Sequence, residues 1–136
     1  MTIKLSSKSG GSLPRLAPDL TYPGDRLTST IQFSSVTGID ASSGLTTLLN
    51  LSGKFYIDFL EIDSITAETN TCKLTVDGVV VWNDTYATGT SDYLLGSRGV
   101  SNTIAGSIQC DTSFLLEYQT QTDTSITFNY NARPIL

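Results

Sequence analysis

The sequence predicts an all-β fold, an antiparallel β-sandwich of jelly-roll type with an extended N-terminal arm. Three observations lead there. Apolar residues alternate over short runs, and no helical period of useful length appears. Turn residues interrupt those runs at the roughly 8–12-residue spacing of a sandwich or barrel. The composition is rich in Ser and Thr, with 39% hydrophobic but only 15% charged residues, against ~25% charged in an ordinary domain. Thr is β-branched and suits a pleated surface. The 136 residues suit one domain, long enough to bury roughly two thirds of its unfolded surface. No internal repeat is evident.

Residues 1–26 read as the arm. Ser6 to Ser12 is a flexible polar stretch. Pro14, Pro18 and Pro23 follow, each biasing the chain to extended geometry. Leu13, Arg15, Leu16, Leu20 and Tyr22 lie among them as candidate partner-binding residues. A pure linker would not carry such apolar side chains. They either cover an edge of their own domain or dock on a neighbouring subunit.

Residues 27–136 read as the sandwich domain. Leu27–Phe33 alternates, with Leu27, Ser29, Ile31 and Phe33 on one face, and Gly38 to Gly44 reads as a loop. Leu45–Leu51 is the second strand candidate. Lys54–Ile62 shows Phe55, Ile57 and Phe59 on one face, then Leu60 and Ile62 on the other, which predicts a bulge or a strand buried on both faces. Asp77-Gly78 between apolar strands predicts a type I′ hairpin. A regular two-residue loop would set Val76 opposite Val79, Leu74 opposite Val81 and Cys72 opposite Asn83, all facing the core. Lys73, Thr75, Val80 and Trp82 would then share the outer face, with Lys73 against the Trp82 indole. Thr85–Asn102 reads as a long loop and Ile104–Cys110 as a weak strand. The last two strands carry Phe114, Leu116 and Tyr118, then Ile126, Phe128 and Tyr130, joined as a hairpin through Gln119–Thr124.

Net charge is −5, which argues against nucleic acid, whose binders need a basic surface. The charge is uneven: residues 1–26 carry +2 and residues 27–136 carry −7. No apolar run reaches the ~18 residues of a membrane span, and no signal-peptide h-region is seen. Cys72 and Cys110 read as two buried thiols made in a reducing compartment. Without a secretion signal, the sequons at Asn50 and Asn83 read as chance matches.

Histidine is absent. That removes the usual general base, the Ser-His and Cys-His pairs and the commonest zinc ligand. Asp58, Glu61 and Asp63 are the one carboxylate cluster suited to glycoside chemistry; solvated acids flanking a buried strand is the stronger reading. Asp77, Asp84 and Asp92 lack the dense spacing of a calcium loop. The expectation is no enzyme, no cofactor and no metal. Trp82, Tyr86 and Tyr93 are candidate ligand-binding aromatics for a glycan, with packing of Trp82 under the 85–102 loop as the alternative.

Several segments together resemble small tailed-bacteriophage virion proteins. They are Ser7 to Leu20 (SKSGGSLPRLAPDL), Leu49 to Lys54 (LNLSGK), Asp58 to Ile62 (DFLEI), Leu74 to Trp82 (LTVDGVVVW), Ser113 to Tyr118 (SFLLEY) and Phe128 to Tyr130 (FNY). The resemblance implies a head decoration (cement) protein, or a neck, tail or fibre component, residing in the virion and made in the host cytoplasm. It further implies a homotrimer whose partners are other virion proteins, such as the major capsid or tail and neck proteins, with neither nucleic acid nor membrane. A glycan-binding, receptor-recognition role is the alternative.

Overall fold

A computed structural model describes residues 33–95 and 106–135. The arm residues Leu13, Arg15, Leu16, Leu20 and Tyr22 lie outside the described residues, as do positions 27–32 of the first expected strand. The described residues contain no helix. They form β1 (Ser34–Ile39), β2 (Thr46–Ser52), β3 (Phe55–Asp63), β4 (Thr69–Val76), β5 (Val79–Ala87), β6 (Ser91–Leu95), β7 (Ile108–Cys110), β8 (Ser113–Gln119) and β9 (Ile126–Pro134).

These strands make two sheets. One has the order β1-β9-β3-β6, with β7 also paired to β3; the other has the order β2-β8-β4-β5. Registered pairs in both are antiparallel. The sheets pack face to face as a β-sandwich. Alternation explains why: in β8, Phe114, Leu116 and Tyr118 are fully buried while the residues between them are half-exposed. They meet Leu49, Cys72 and Leu74 of their own sheet and Ile57, Leu60, Ile62, Leu94, Leu95, Ile126 and Phe128 of the other in one core.

Bulges reconcile the strands with this two-sided packing. In β6, Leu94 is the extra residue between Leu60↔Leu95 and Glu61↔Tyr93, which lets both leucines face inward. In β5, Val81 is extra between Thr75↔Val80 and Leu74↔Trp82. Between β1 and β9 the register shifts across Val36 and Ile39. Gly38 sits there with φ +73°, a conformation only glycine adopts freely.

Several expectations are corrected. The stretch beginning at Gly38 is not all loop, because β1 runs through Gly38 to Ile39. Phe33 precedes that strand and is exposed. The Asp77-Gly78 turn has positive φ at both residues, 51° and 81°, and Val76 does face Val79. Beyond the Val81 bulge, however, Leu74 pairs with Trp82 and Cys72 with Asp84, one residue later than a regular ladder gives. Trp82 therefore turns toward the core, and Lys73 reaches Glu117 of β8 at 3.9 Å instead of the indole. Thr85–Asn102 is not one loop, since β5 continues to Ala87 and β6 follows at Ser91. The segments β8 and β9 do not form a hairpin: they belong to different sheets, and 120–125 crosses between them.

Phe114 is the test of this packing. Phe114→Ala should lower the unfolding free energy by about 3–5 kcal/mol, the usual cost of truncating a buried aromatic ring, measured by urea denaturation.

Candidate functional site

The three aromatics expected to form one platform are divided by the fold. Trp82 and Tyr86 lie on β5, four residues apart on the inward side, and their rings stack at 5.7 Å with an interplanar angle of 11°. Tyr93 lies on β6 in the other sheet. Its ring meets Phe59 edge-on at 6.4 Å, and Phe59 meets Phe33 at 5.5 Å. Phe33 and Phe59 were the missed members of that row; their spacing in sequence gives no sign that the residue before β1 meets β3 and β6.

The stacked pair leads into a buried polar cluster. The Tyr86 hydroxyl donates to Asp92 Oδ2 at 2.8 Å, and Tyr118 donates to the same oxygen at 2.8 Å. Asp92 lies on β6, and both tyrosines lie in the opposite sheet, so one carboxylate joins the two layers. Asp92 is buried and makes no ion pair among the described residues. Burial raises its pKa, against the two hydroxyl donors. Burial raises both tyrosine hydroxyls, reinforced by neighbouring negative charge. Cys72, also in the core, is pushed up to about 12 by burial and then by Asp92. A thiol held that high is no nucleophile at neutral pH. Cys110 is likewise a free, buried thiol raised by burial.

The carboxylate cluster on β3 is taken up piecemeal. Asp58 accepts from Arg133, with Nε at 2.7 Å and Nη2 at 2.6 Å. Glu61 accepts from Asn129 Nδ2 at 2.7 Å. Asp63 accepts from the Ser91 hydroxyl at 2.6 Å, which lowers its pKa. Each acid thus has its own structural partner. Among the described residues, no three His, Cys, Asp or Glu side chains group as a metal site.

Other acids cap loops. Asp77 Oδ1 accepts from the backbone N–H groups of Asp111, Thr112 and Ser113 at 3.0, 2.7 and 3.1 Å, and from the Thr112 hydroxyl. These bonds pull its pKa down to about 2. The β4–β5 turn is thereby fastened to the β7–β8 turn. At the other end, Glu68 accepts from Gln121 N, Thr122 N and the Thr122 hydroxyl, and Asp123 accepts from Thr66 N and its hydroxyl.

One surface is apolar without a cover among the described residues. Strand β5 ends the four-stranded sheet, and its outer edge pairs with no described strand. There Val79, Val80 and Val81 are 63%, 50% and 55% exposed. The bulge at Val81 breaks the alternation that would otherwise turn Val81 toward the core. Sequence reasoning placed Val79 and Val81 in the core; the bulge accounts for Val81, whereas Val79 keeps its expected pairing with Val76 and is exposed beside the turn. Comparison of the chain with protein-family models, with curated proteins and with solved structures found no match.

Two outcomes follow from these contacts. Tyr118→Phe strips one donor from a buried carboxylate and should cost about 1–3 kcal/mol, read by urea denaturation. Asp77 has its folded pKa depressed from 3.8 to about 2, so its contribution is complete above pH 3.8 and lost as pH falls toward 2. Asp77→Asn, which keeps the left-handed turn, should melt below the parent at neutral pH. The two melting curves should converge near pH 2, the folded-state value.

Proposed function

We propose that this chain is a non-enzymatic virion structural protein, a capsid decoration (cement) protein of a tailed bacteriophage. In this reading it forms a homotrimer and binds the phage head through its N-terminal arm and β-sandwich. The observation that carries the reading is the outer β5 edge, which pairs with no described strand and where Val79, Val80 and Val81 are exposed in succession. Contiguous exposed apolar surface on a folded domain is a feature of interaction sites, protein–protein contacts among them.

Three further points support it. With β6 and β7 taken as two halves of one interrupted strand, β1-β9-β3-β6/β7 opposite β2-β8-β4-β5 is the order in which a jelly roll wraps, a fold used by viral shell proteins. The acids that chemistry would need are engaged in holding strands and loops together. The +2 arm and −7 body favour docking of the arm over a neighbouring acidic surface. That attraction steers the encounter more than it holds, being screened beyond ~8 Å at cellular salt. Apolar contacts supply the holding energy, at ~25 cal/mol per Å² buried.

The alternative, a tail-fibre or receptor-recognition module using Trp82, Tyr86 and Tyr93, has less in its favour. Trp82 and Tyr86 are half-buried, the Tyr86 hydroxyl is occupied, and Tyr93 stands on the other sheet.

Light scattering of the purified full chain tests the proposal. A trimer is expected. Val80→Asp should weaken the association by about a hundredfold while leaving the melting temperature nearly unchanged, as befits an exposed position. A parent chain that remains monomeric at high concentration would overturn the reading.

A further inference from the structure

A cleft of about 330 Å³ lies on the outer face of the four-stranded sheet, at the end of β4 opposite the Asp77-Gly78 turn. Its floor crosses three strands. Thr71 of β4 stands in register with Gln119 of β8 on one side and Thr85 of β5 on the other. Ser42, Thr69, Thr120 and Gln121 complete the lining. Every lining side chain is a hydroxyl or a carboxamide, and none carries charge.

The walls are held before any ligand arrives. Thr120 N donates to Ala41 O at 3.0 Å, bringing the turn after β1 against the end of β8. Ser42 donates both its backbone N–H and its hydroxyl to Asp40 Oδ1. Gln121 donates its N–H to Glu68 Oε2 at 2.8 Å, and its Oε1 accepts from Thr69 N at 3.0 Å. What remains is unspent hydrogen-bonding capacity. The Thr71 and Thr85 hydroxyls share a single bond of 2.8 Å, so one proton of the pair is left over. The Gln119 carboxamide and Gln121 Nε2 have no partner among the described residues.

We propose that this cleft is a binding site for a neutral saccharide. An ionic ligand would find no countercharge in the lining. An apolar ligand would strand the hydroxyls and amides without water, each at a desolvation cost. A sugar hydroxyl both donates and accepts, which matches what Thr, Ser and Gln offer. A peptide would be expected to use a sheet edge with side-chain pockets, whereas this cleft lies on a sheet face and has neither apolar nor charged pockets. At about 330 Å³ it sits at the small end of the ~300–1,000 Å³ range of small-molecule sites, which suits a short oligosaccharide. With no aromatic platform in the lining, affinity rests on hydrogen bonds and falls near 1 mM. The proposal stands independently of the virion reading.

The test is an NMR titration of the ¹⁵N-labelled full chain with maltose, cellobiose, lactose and N,N′-diacetylchitobiose. Each is taken to about 20 mM, past the expected millimolar range. At least one sugar should give saturable shifts at residues 41–43, 69–71, 85 and 119–121, and in the Gln119 and Gln121 side-chain amides. Sialyllactose, being anionic, should bind more weakly than lactose. Thr71→Val combined with Gln119→Leu removes two polar partners and should weaken binding about tenfold or more. Preserved spectral dispersion would show that the variant still folds, and Gln121→Leu alone serves if it does not. Absence of shifts with all four sugars, shifts centred on Trp82 instead, shifts unchanged in the variants, or saturable shifts at these residues only with a Ser/Thr-rich peptide would each overturn the proposal.

Discussion

The alternation in β8 governs the arrangement of everything around it. Phe114, Leu116 and Tyr118 are all fully buried, and β8 lies between β2 and β4 in its sheet. Three large side chains on one face of one strand need a facing layer, because a single sheet leaves that face in water. The five-stranded sheet is that layer, and it presents Ile57, Leu60 and Ile62 of β3 with Ile126 and Phe128 of β9. At roughly 1.5–3 kcal/mol per fully buried large apolar side chain, this seam outweighs the ion pairs found among the described residues. Tyr118 adds direction to it. Its hydroxyl reaches Asp92 across the seam, so the two sheets are joined at a defined point as well as by apolar contact.

Bulges are the means by which an imperfectly alternating sequence meets that demand. The extra residue Leu94 lets β6 bury two consecutive leucines. The extra residue Val81 turns Trp82 and Tyr86 inward to stack beside Asp92. The same bulge leaves Val81 exposed beside Val79 and Val80 on an outer strand.

The acidic balance acquires a structural explanation. Asp77 and Glu68 each gather several backbone N–H groups from a distant turn, and Asp123 takes the N–H and hydroxyl of Thr66. A carboxylate accepting several N–H bonds can cross-link loops without a cation. Such acids cost nothing in lysine or arginine partners, which accords with 13 acidic against 8 basic residues. Asp58 and Glu117 do meet cations, Arg133 and Lys73.

The sequence by itself determined the class of structure. The candidates at 45–51 and 54–62 and the alternation over 113–118 and 125–130 marked strands, with faces correctly told apart at Phe114, Leu116, Tyr118, Ile126 and Phe128. The Asp77-Gly78 turn was legible because only a few residue types accept positive φ twice. The phase change read after Phe59 announced an irregularity in β3 and its neighbours, although burial places it earlier, between Ile57 and Leu60. Tertiary structure decided what depends on residues far apart in the chain. Whether 120–125 turns back or crosses to the other sheet is not a local property, since a polar loop serves either path. The Val81 bulge left no local mark, because a run of three valines reads equally as a regular strand; only the demand that Trp82 and Tyr86 cover the core selects it. The polar cleft was hidden for the same reason. Ser42, Thr71, Thr85 and Gln119 are ordinary surface residues in sequence, and they become a lined site only where the register of three strands brings them side by side.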